Sequence, residues 1–516
     1  MNMIKSLVLG SAAGLIAMSG AQAADLPVKA KAVEYVRICS LYGAGFFYIP
    51  GTDTCIKLGG YLRVDTTFNG GIYGGPAWNG DIGQGNRYRD YYAARSRMAL
   101  TVDTRTATEY GVVRTFAQGD FQFSTLGNNS FNPNSLATNL GGNSQLLDTA
   151  GGGYVAVEMV FIQFAGFTFG KSASAYATPW NGYPGNNNSF LMGGHDTVTG
   201  VNNIQYTAQF GNGVSATIGL DDPTTFGRTS VGYMNVIAGA GTVSAIGVAP
   251  NAYAGVHSPD IVGNIRVDQA WGLFQLSAGA HEVVPSYNTL AANGTPTAFS
   301  EISGHPDSKW GGSVMAALQI KNLPTGAGDD IKIDASYAKG YTKNVISTSS
   351  PSPSFAMFGD TSRVGAYQSY GFGYTSDGVY GPGGQIELTD AWGVRGAFNH
   401  NWDPYWSTSL WGSYSQVRYN GNAKGLYCAA FVAGRATSAD FGCNPDFNVA
   451  QVGAVTRWTP VKNLTFSAEV GAFFLDQKMT GAVTMQPGAT SPKPTASYEF
   501  KDQSTVYLQL RAQRNF

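Results

Sequence analysis

A sixteen-stranded antiparallel transmembrane β-barrel is the all-β fold that this chain predicts, and three observations predict it. Strand-sized segments alternating apolar and polar residues recur from Ile56 to the C-terminus, and no helix-sized apolar span accompanies them. Short and long links between these segments alternate, seven short against eight long. Charged residues make up only 13% of the chain, about half the ~25% of soluble globular domains, while glycine supplies 68 of 516 positions. A barrel replaces charged surface with lipid-facing apolar side chains, which accounts for that balance.

At the N-terminus, residues 1–23 read as an export signal. Lys5 supplies the positive region, Leu7–Met18 a short apolar core, and Ala21-Gln22-Ala23 a small-residue cleavage site, so the mature chain is expected to start at Ala24. Residues 24–55 form an N-terminal segment, and 56–516 form the barrel. The four cysteines fall in two local pairs, Cys39/Cys55 and Cys428/Cys443, read as disulfide loops of an exported protein.

Along the barrel, tight links are expected near Arg105–Thr108, Ala165–Gly166, Gly211–Gly213, Ala270–Gly272, Pro324–Asp329, Asp403–Tyr405 and Thr459–Asn463. Long links are expected at about 69–88, 120–152, 172–200, 222–258, 282–308, 341–383, 420–446 and 480–496. Fifteen links join sixteen strands, and that even number leaves both termini on the short-turn, periplasmic side.

The clearest two-faced strand is Leu464–Phe474, where Phe466, Ala468, Val470 and Phe474 oppose Thr465, Ser467, Glu469 and Gly471. Asn203–Phe210 repeats the scheme, with Ile204, Tyr206 and Phe210 against Gln205 and Thr207. Gly153–Gly170 reads as two strands around a turn, because it contains Glu158, Gln163 and Gly166. Trp406–Tyr419 places large aromatics on both faces, as a barrel rim or subunit interface would. A barrel of sixteen strands encloses an aqueous lumen, which eight strands would fill with side chains.

The wet face is where polar chemistry belongs. In Arg95–Arg105, Arg95, Arg97, Asp103 and Arg105 share one face and Met98, Leu100 and Val102 the other. A lipid-facing arginine at mid-bilayer costs roughly 2–4 kcal/mol, so this row is expected to face water, with Arg63 and Arg114 joining it. Arg63, Arg95, Arg97 and Arg114 are thus candidate pore-lining residues that sort solutes by charge.

Two stretches resemble the alphaproteobacterial, rhizobial-type general porins. One is ADLPVKAKAVEYVRIC (Ala24–Cys39) running into SLYGAGFFYIPGTDTCIKLGGYLR (Ser40–Arg63). The other is the terminal strand, where Val506, Leu508, Leu510 and Ala512 share a face with Phe516, and Arg514 interrupts the row. The resemblance implies a homotrimeric, water-filled outer-membrane porin whose third external loop folds into the lumen. Here that loop is about 172–200. It carries His195 and Asp196, with Trp180, Tyr183 and Phe190 shaping the opening and Asp196 facing the arginines as a pore-lining acid. Asp196 is the only charged residue between Ser172 and Gly200, so the acidic side of the opening is thin.

Net charge is −1, which provides no basic field for nucleic acid. His195, His257, His281, His305 and His400 are scattered, so neither a metal site nor a cofactor is expected. The sequence lacks a Gly-x-Ser-x-Gly motif, and His195-Asp196 adjacency is not triad geometry. The resulting expectation is a channel for passive diffusion of small hydrophilic solutes and ions, not an enzyme, with outer-membrane lipid around it. A sugar- or anion-preferring channel is the nearest alternative; an outer-membrane hydrolase or a secreted β-rich binding protein are the others.

Overall fold

A computed structural model describes residues 37–516 except 72–90, 125–153, 181, 184–190, 197–199, 225–226, 238, 289–300, 347–353 and 488–492. The expected signal segment and residues 24–36 lie outside the described residues.

Sixteen strands form one closed antiparallel sheet. They are β1 (Thr54–Phe68), β2 (Tyr92–Thr108), β3 (Gly111–Ser124), β4 (Tyr154–Phe164), β5 (Phe167–Ser172), β6 (Val201–Gly211), β7 (Val214–Asp221) and β8 (Asp260–Gln269) in the first half. The second half holds β9 (Gly272–Val283), β10 (Lys309–Lys321), β11 (Asp330–Lys339), β12 (Asp390–Asn401), β13 (Trp406–Arg418), β14 (Phe447–Val461), β15 (Leu464–Gln477) and β16 (Gln503–Asn515). Each strand pairs with the next, and β1 closes on β16 from Tyr61↔Asn515 to Phe68↔Leu508. Closure leaves no open edge to the sheet, so along the paired registers the backbone hydrogen bonds are made within the wall.

Side-chain alternation follows the pleat. Along β15, Phe466, Val470 and Phe474 are exposed outward while Glu469, Gly471 and Phe473 are buried inward. On β6, Ile204, Tyr206 and Phe210 are likewise outward.

The short links lie where the sequence places them, with one shift. β2 and β3 run on to Thr108 and Gly111, so their turn is 109–110 instead of Arg105–Thr108. Arg105 and Arg114 are cross-strand partners in that extension, and Asp103 accepts from both at 3.0 and 2.9 Å, removing their repulsion. Asn212 and Gly213 both take positive φ, 49° and 73°, giving the left-handed pair that a tight hairpin requires.

At the short-turn mouth, the Cys39–Cys55 disulfide and a short pairing of Phe47–Tyr48 with Cys55–Ile56 fold residues 37–50 over the inner edge. Phe46 packs there beneath the Arg105 guanidinium, 4.8 Å from its ring centre. Closing a loop of this size stabilises a fold by about 3 kcal/mol in the chain-entropy picture.

The long links at the other mouth pack together into a cap with its own core. Phe355–Gly359, Gln368–Gly373, Ala496–Phe500 and Ala482–Met485 make a four-stranded sheet. A three-stranded sheet joins Val231–Tyr233, Gly378–Tyr380 and Glu387–Leu388. The helix α1 (Gly421–Val432) starts where the Asn420 side chain accepts from the Ala423 N–H at 2.9 Å, and Cys428–Cys443 ties it to the following segment. Tyr370, Phe372, Tyr427, Phe431 and Tyr498 are fully or almost fully buried between these elements.

Candidate functional site

The link between β5 and β6 leaves the wall at Ser172 and returns at Val201, which is why β5 is only six residues long. Its described residues lie on one face of the sheet, and that contact identifies the inner face. The Asn264 side chain on β8 donates to the Ala175 carbonyl at 2.6 Å, and Gln275 on β9 donates to Ala177 at 2.7 Å. Further along, the Met192 N–H donates to Gln451 on β14 at 2.9 Å. The link therefore runs across the inner wall from β8 to β14.

Arg395 on β12 is the centre of this attachment. Its guanidinium meets Asp334 of β11 at 3.1 Å and Asp196 of the link at 3.2 Å. It also donates to the carbonyls of Leu191 and His195, each at 3.2 Å. The Tyr183 hydroxyl donates to Asp334 and stacks its ring under the guanidinium. Four polar partners, two carboxylates and two backbone carbonyls, surround this one buried cation and occupy the donor fork of arginine.

Apolar contacts complete the seat. Trp180, Tyr183 and Leu191 cluster with Trp411, Val455 and Tyr507 of the wall. The inward aromatic of β13 is thus a floor for the link, while Trp406 and Leu410 face outward. Gly193 passes so near Gly393 of β12 that a Cβ on Gly393 would lie 2.5 Å from the Gly193 Cα. Gly193 itself takes φ +122°, a conformation open to glycine. The Gly193 N–H donates to the Val345 carbonyl at 2.7 Å, and Gly194 bridges to Ile346, joining the link to the cap.

Asp196 therefore turns into the wall, 7% exposed, instead of presenting a free carboxylate to the arginines opposite. The sequence signal for Arg395 is the run of small inward residues around it, Ala391, Gly393 and Ala397, all buried. Such a run marks a place where another segment packs. Phe190 lies outside the described residues.

The other sequence-selected residues gather on β1–β3, away from the Arg395 attachment. Arg95 pairs with Asp65, Nε to carboxylate at 2.7 Å, and Arg511 reaches the other oxygen of Asp65 at 2.6 Å. Arg97 pairs with Asp120 at 2.6 Å and lies 3.8 Å from Glu158. Arg114 joins Asp103 and donates to Gln163 at 2.9 Å. Arg63 donates to Gln513 at 2.8 Å and stacks on Tyr61, with its guanidinium carbon 4.3 Å from the ring centre. Sequence reasoning put Asp103 on the arginine face but did not select Asp65 or Asp120, and only the strand register shows which guanidinium each of these meets.

The sequence profile of the family described as "Porin subfamily" matches residues 25–508. Porin Omp2b of Brucella abortus is 35% identical over 274 residues, covering 52% of this chain and 63% of that protein. Porin Omp2b of Brucella melitensis matches to the same extent. The chain thus spans less than two thirds of the length of these relatives. Among solved structures, the outer membrane channel DcaP of Acinetobacter baumannii superposes with a TM-score of 0.55 at 14% identity, covering 91% of this chain and 99% of that one. That likeness concerns the fold.

Proposed function

We propose, because the chain belongs to the porin subfamily, that it forms a water-filled outer-membrane channel for passive diffusion of small hydrophilic solutes and ions. The observation that carries this reading is a closed sixteen-strand wall, apolar outside, with a polar arginine-rich inner face and a link seated across its lumen. A barrel of that size is too wide to be filled by its own side chains, so water occupies what the link leaves open.

In this reading the cap faces outward from the cell and the disulfide-tied segment 37–50 faces the periplasm. The link 173–200 sets the aperture. Arg395 and Asp196 hold it, while Arg63, Arg95, Arg97 and Arg114 line the opposite wall. No covalent step is involved: solutes move down their gradients, and the charged wall biases which of them enter. The exported chain assembles as a homotrimer surrounded by outer-membrane lipid, as the resemblance of its N-terminal segment implies.

Planar-bilayer recording of the purified, folded protein tests the reading. Discrete conductance steps that scale with bulk salt are expected. Folded barrels that insert without any ion-permeable step would overturn it.

A further inference from the structure

The strand registers place five guanidiniums on one patch of the inner wall. One row across the strands reads Arg457, Ser467, Arg511, Asp65 and Arg95 on β14, β15, β16, β1 and β2. The neighbouring row reads Gln513, Arg63, Arg97 and Gln122 on β16, β1, β2 and β3. Asp65 is the single carboxylate in these rows, and Arg95 and Arg511 share it. Arg97 finds its acid in a different row, at Asp120.

Arg63 and Arg457 make no ion pair among the described residues. Arg63 has Gln513 and the Tyr61 ring. Arg457 donates to the Ser409 hydroxyl at 2.9 Å. Glu469, the carboxylate that attracts Arg457 through space, accepts instead from the Tyr507 hydroxyl at 2.9 Å. Arg511 sits between these two arginines in the register and repels both. A wall that holds like charges this close, with uncharged partners, is locally unfavourable and gains most from an incoming anion.

We infer that Arg63, Arg457 and Arg511 form a binding station for small oxyanions, with Tyr61, Gln513 and Ser409 holding the two unpaired guanidiniums in place. The planar donor fork of arginine matches carboxylate and phosphate groups in two-point contact, which chloride cannot use. This inference rests on the channel reading of the same lumen. It differs from the sequence expectation in its residues: Arg95 and Arg97 are bound to acids, whereas Arg63 and Arg457 are the groups that offer unspent charge.

The test is chloride current through single channels with inorganic phosphate, or separately acetate, added to one side. Saturable block is expected, with Arg63→Gln/Arg457→Gln raising the half-blocking concentration about tenfold or more, the loss of a charge-assisted bond. Removing two rim charges instead, Lys321→Gln/Lys462→Gln, should leave that concentration unchanged and so separates a local site from net charge. Block by only one probe supports the station and assigns its ligand as phosphate or carboxylate. Block by neither, or block that the Arg63/Arg457 variant does not move, overturns the station while leaving the channel intact. Absence of any conductance would instead remove the channel reading itself.

Discussion

Asp196 and Arg395 stand 199 residues apart in the chain and meet at 3.2 Å, with both side chains buried. One belongs to a link that has left the wall and the other to a strand on the wall the link crosses. Their contact, reinforced by Asp334, turns a long link into a fixed internal structure.

Arg395→Met leaves Asp334 buried without its cation, and breaking a buried pair from one side costs about 3–5 kcal/mol. A large drop in thermal stability is expected. Asp196→Asn is milder, because Asp334 stays paired, and should give folded channels with higher and noisier conductance as the link loosens. Wild-type conductance and noise in Asp196→Asn would show that the link is held elsewhere.

Gly193→Val should act on the aperture by a different route. The left-handed conformation and the approach to Arg395 and Val394, within 2.9 Å of a Cβ, leave no room for a side chain. Overpacking of this kind costs about 1–3 kcal/mol, and the link is expected to move off β12, raising conductance. The same substitution at Gly255, where nothing lies within 4 Å of a Cβ, should leave conductance unchanged.

The two faces of the wall can be weighed directly. Val470 on β15 is 56% exposed on the outer face. Val470→Arg should destabilise the folded barrel in lipid by about 2–4 kcal/mol if it sits near mid-bilayer, measured by reversible unfolding in vesicles. A negligible change would place that face in water.

Cap packing should respond to acid. Arg363 makes two hydrogen bonds to Asp440, at 2.6 and 2.8 Å, and holds that carboxyl below the usual carboxylate range. A depressed folded value means the contribution is present above about pH 4 and fades as pH falls toward that lower value. Amide protection around 433–446, normalised for intrinsic exchange, should therefore be greater in wild type than in Asp440→Asn at pH 6. The gap should narrow progressively from pH 4 to pH 2. A gap independent of pH would contradict this clasp.

Much of the wall was legible because its rules are local. Period-two alternation and turn residues such as Asn212-Gly213 identify strands and links without reference to anything distant, and the strand count follows from them. The arginine row on β2 was legible for the same reason. Arg395 was not singled out, since its partners Asp196 and Asp334 come from other parts of the chain, although Ala391, Gly393 and Ala397 beside it hint at a covering segment. The aromatics on both faces of Trp406–Tyr419 suggested a rim or subunit contact; on the inner face Trp411 packs against the link, which the sequence did not indicate. The cap's four-stranded sheet was illegible because its strands are four to six residues long and pair across links far apart in sequence.

Passive diffusion requires an open aqueous path between the Arg395-anchored link and the arginine wall. Exclusion of neutral polyethylene glycols of graded size from the conducting channel measures that path. Small polymers should enter and lower the conductance, larger ones should leave it unchanged, and Asp196→Asn should shift the cut-off upward. If no polymer, however small, lowers the current of folded channels, the open path described here does not exist.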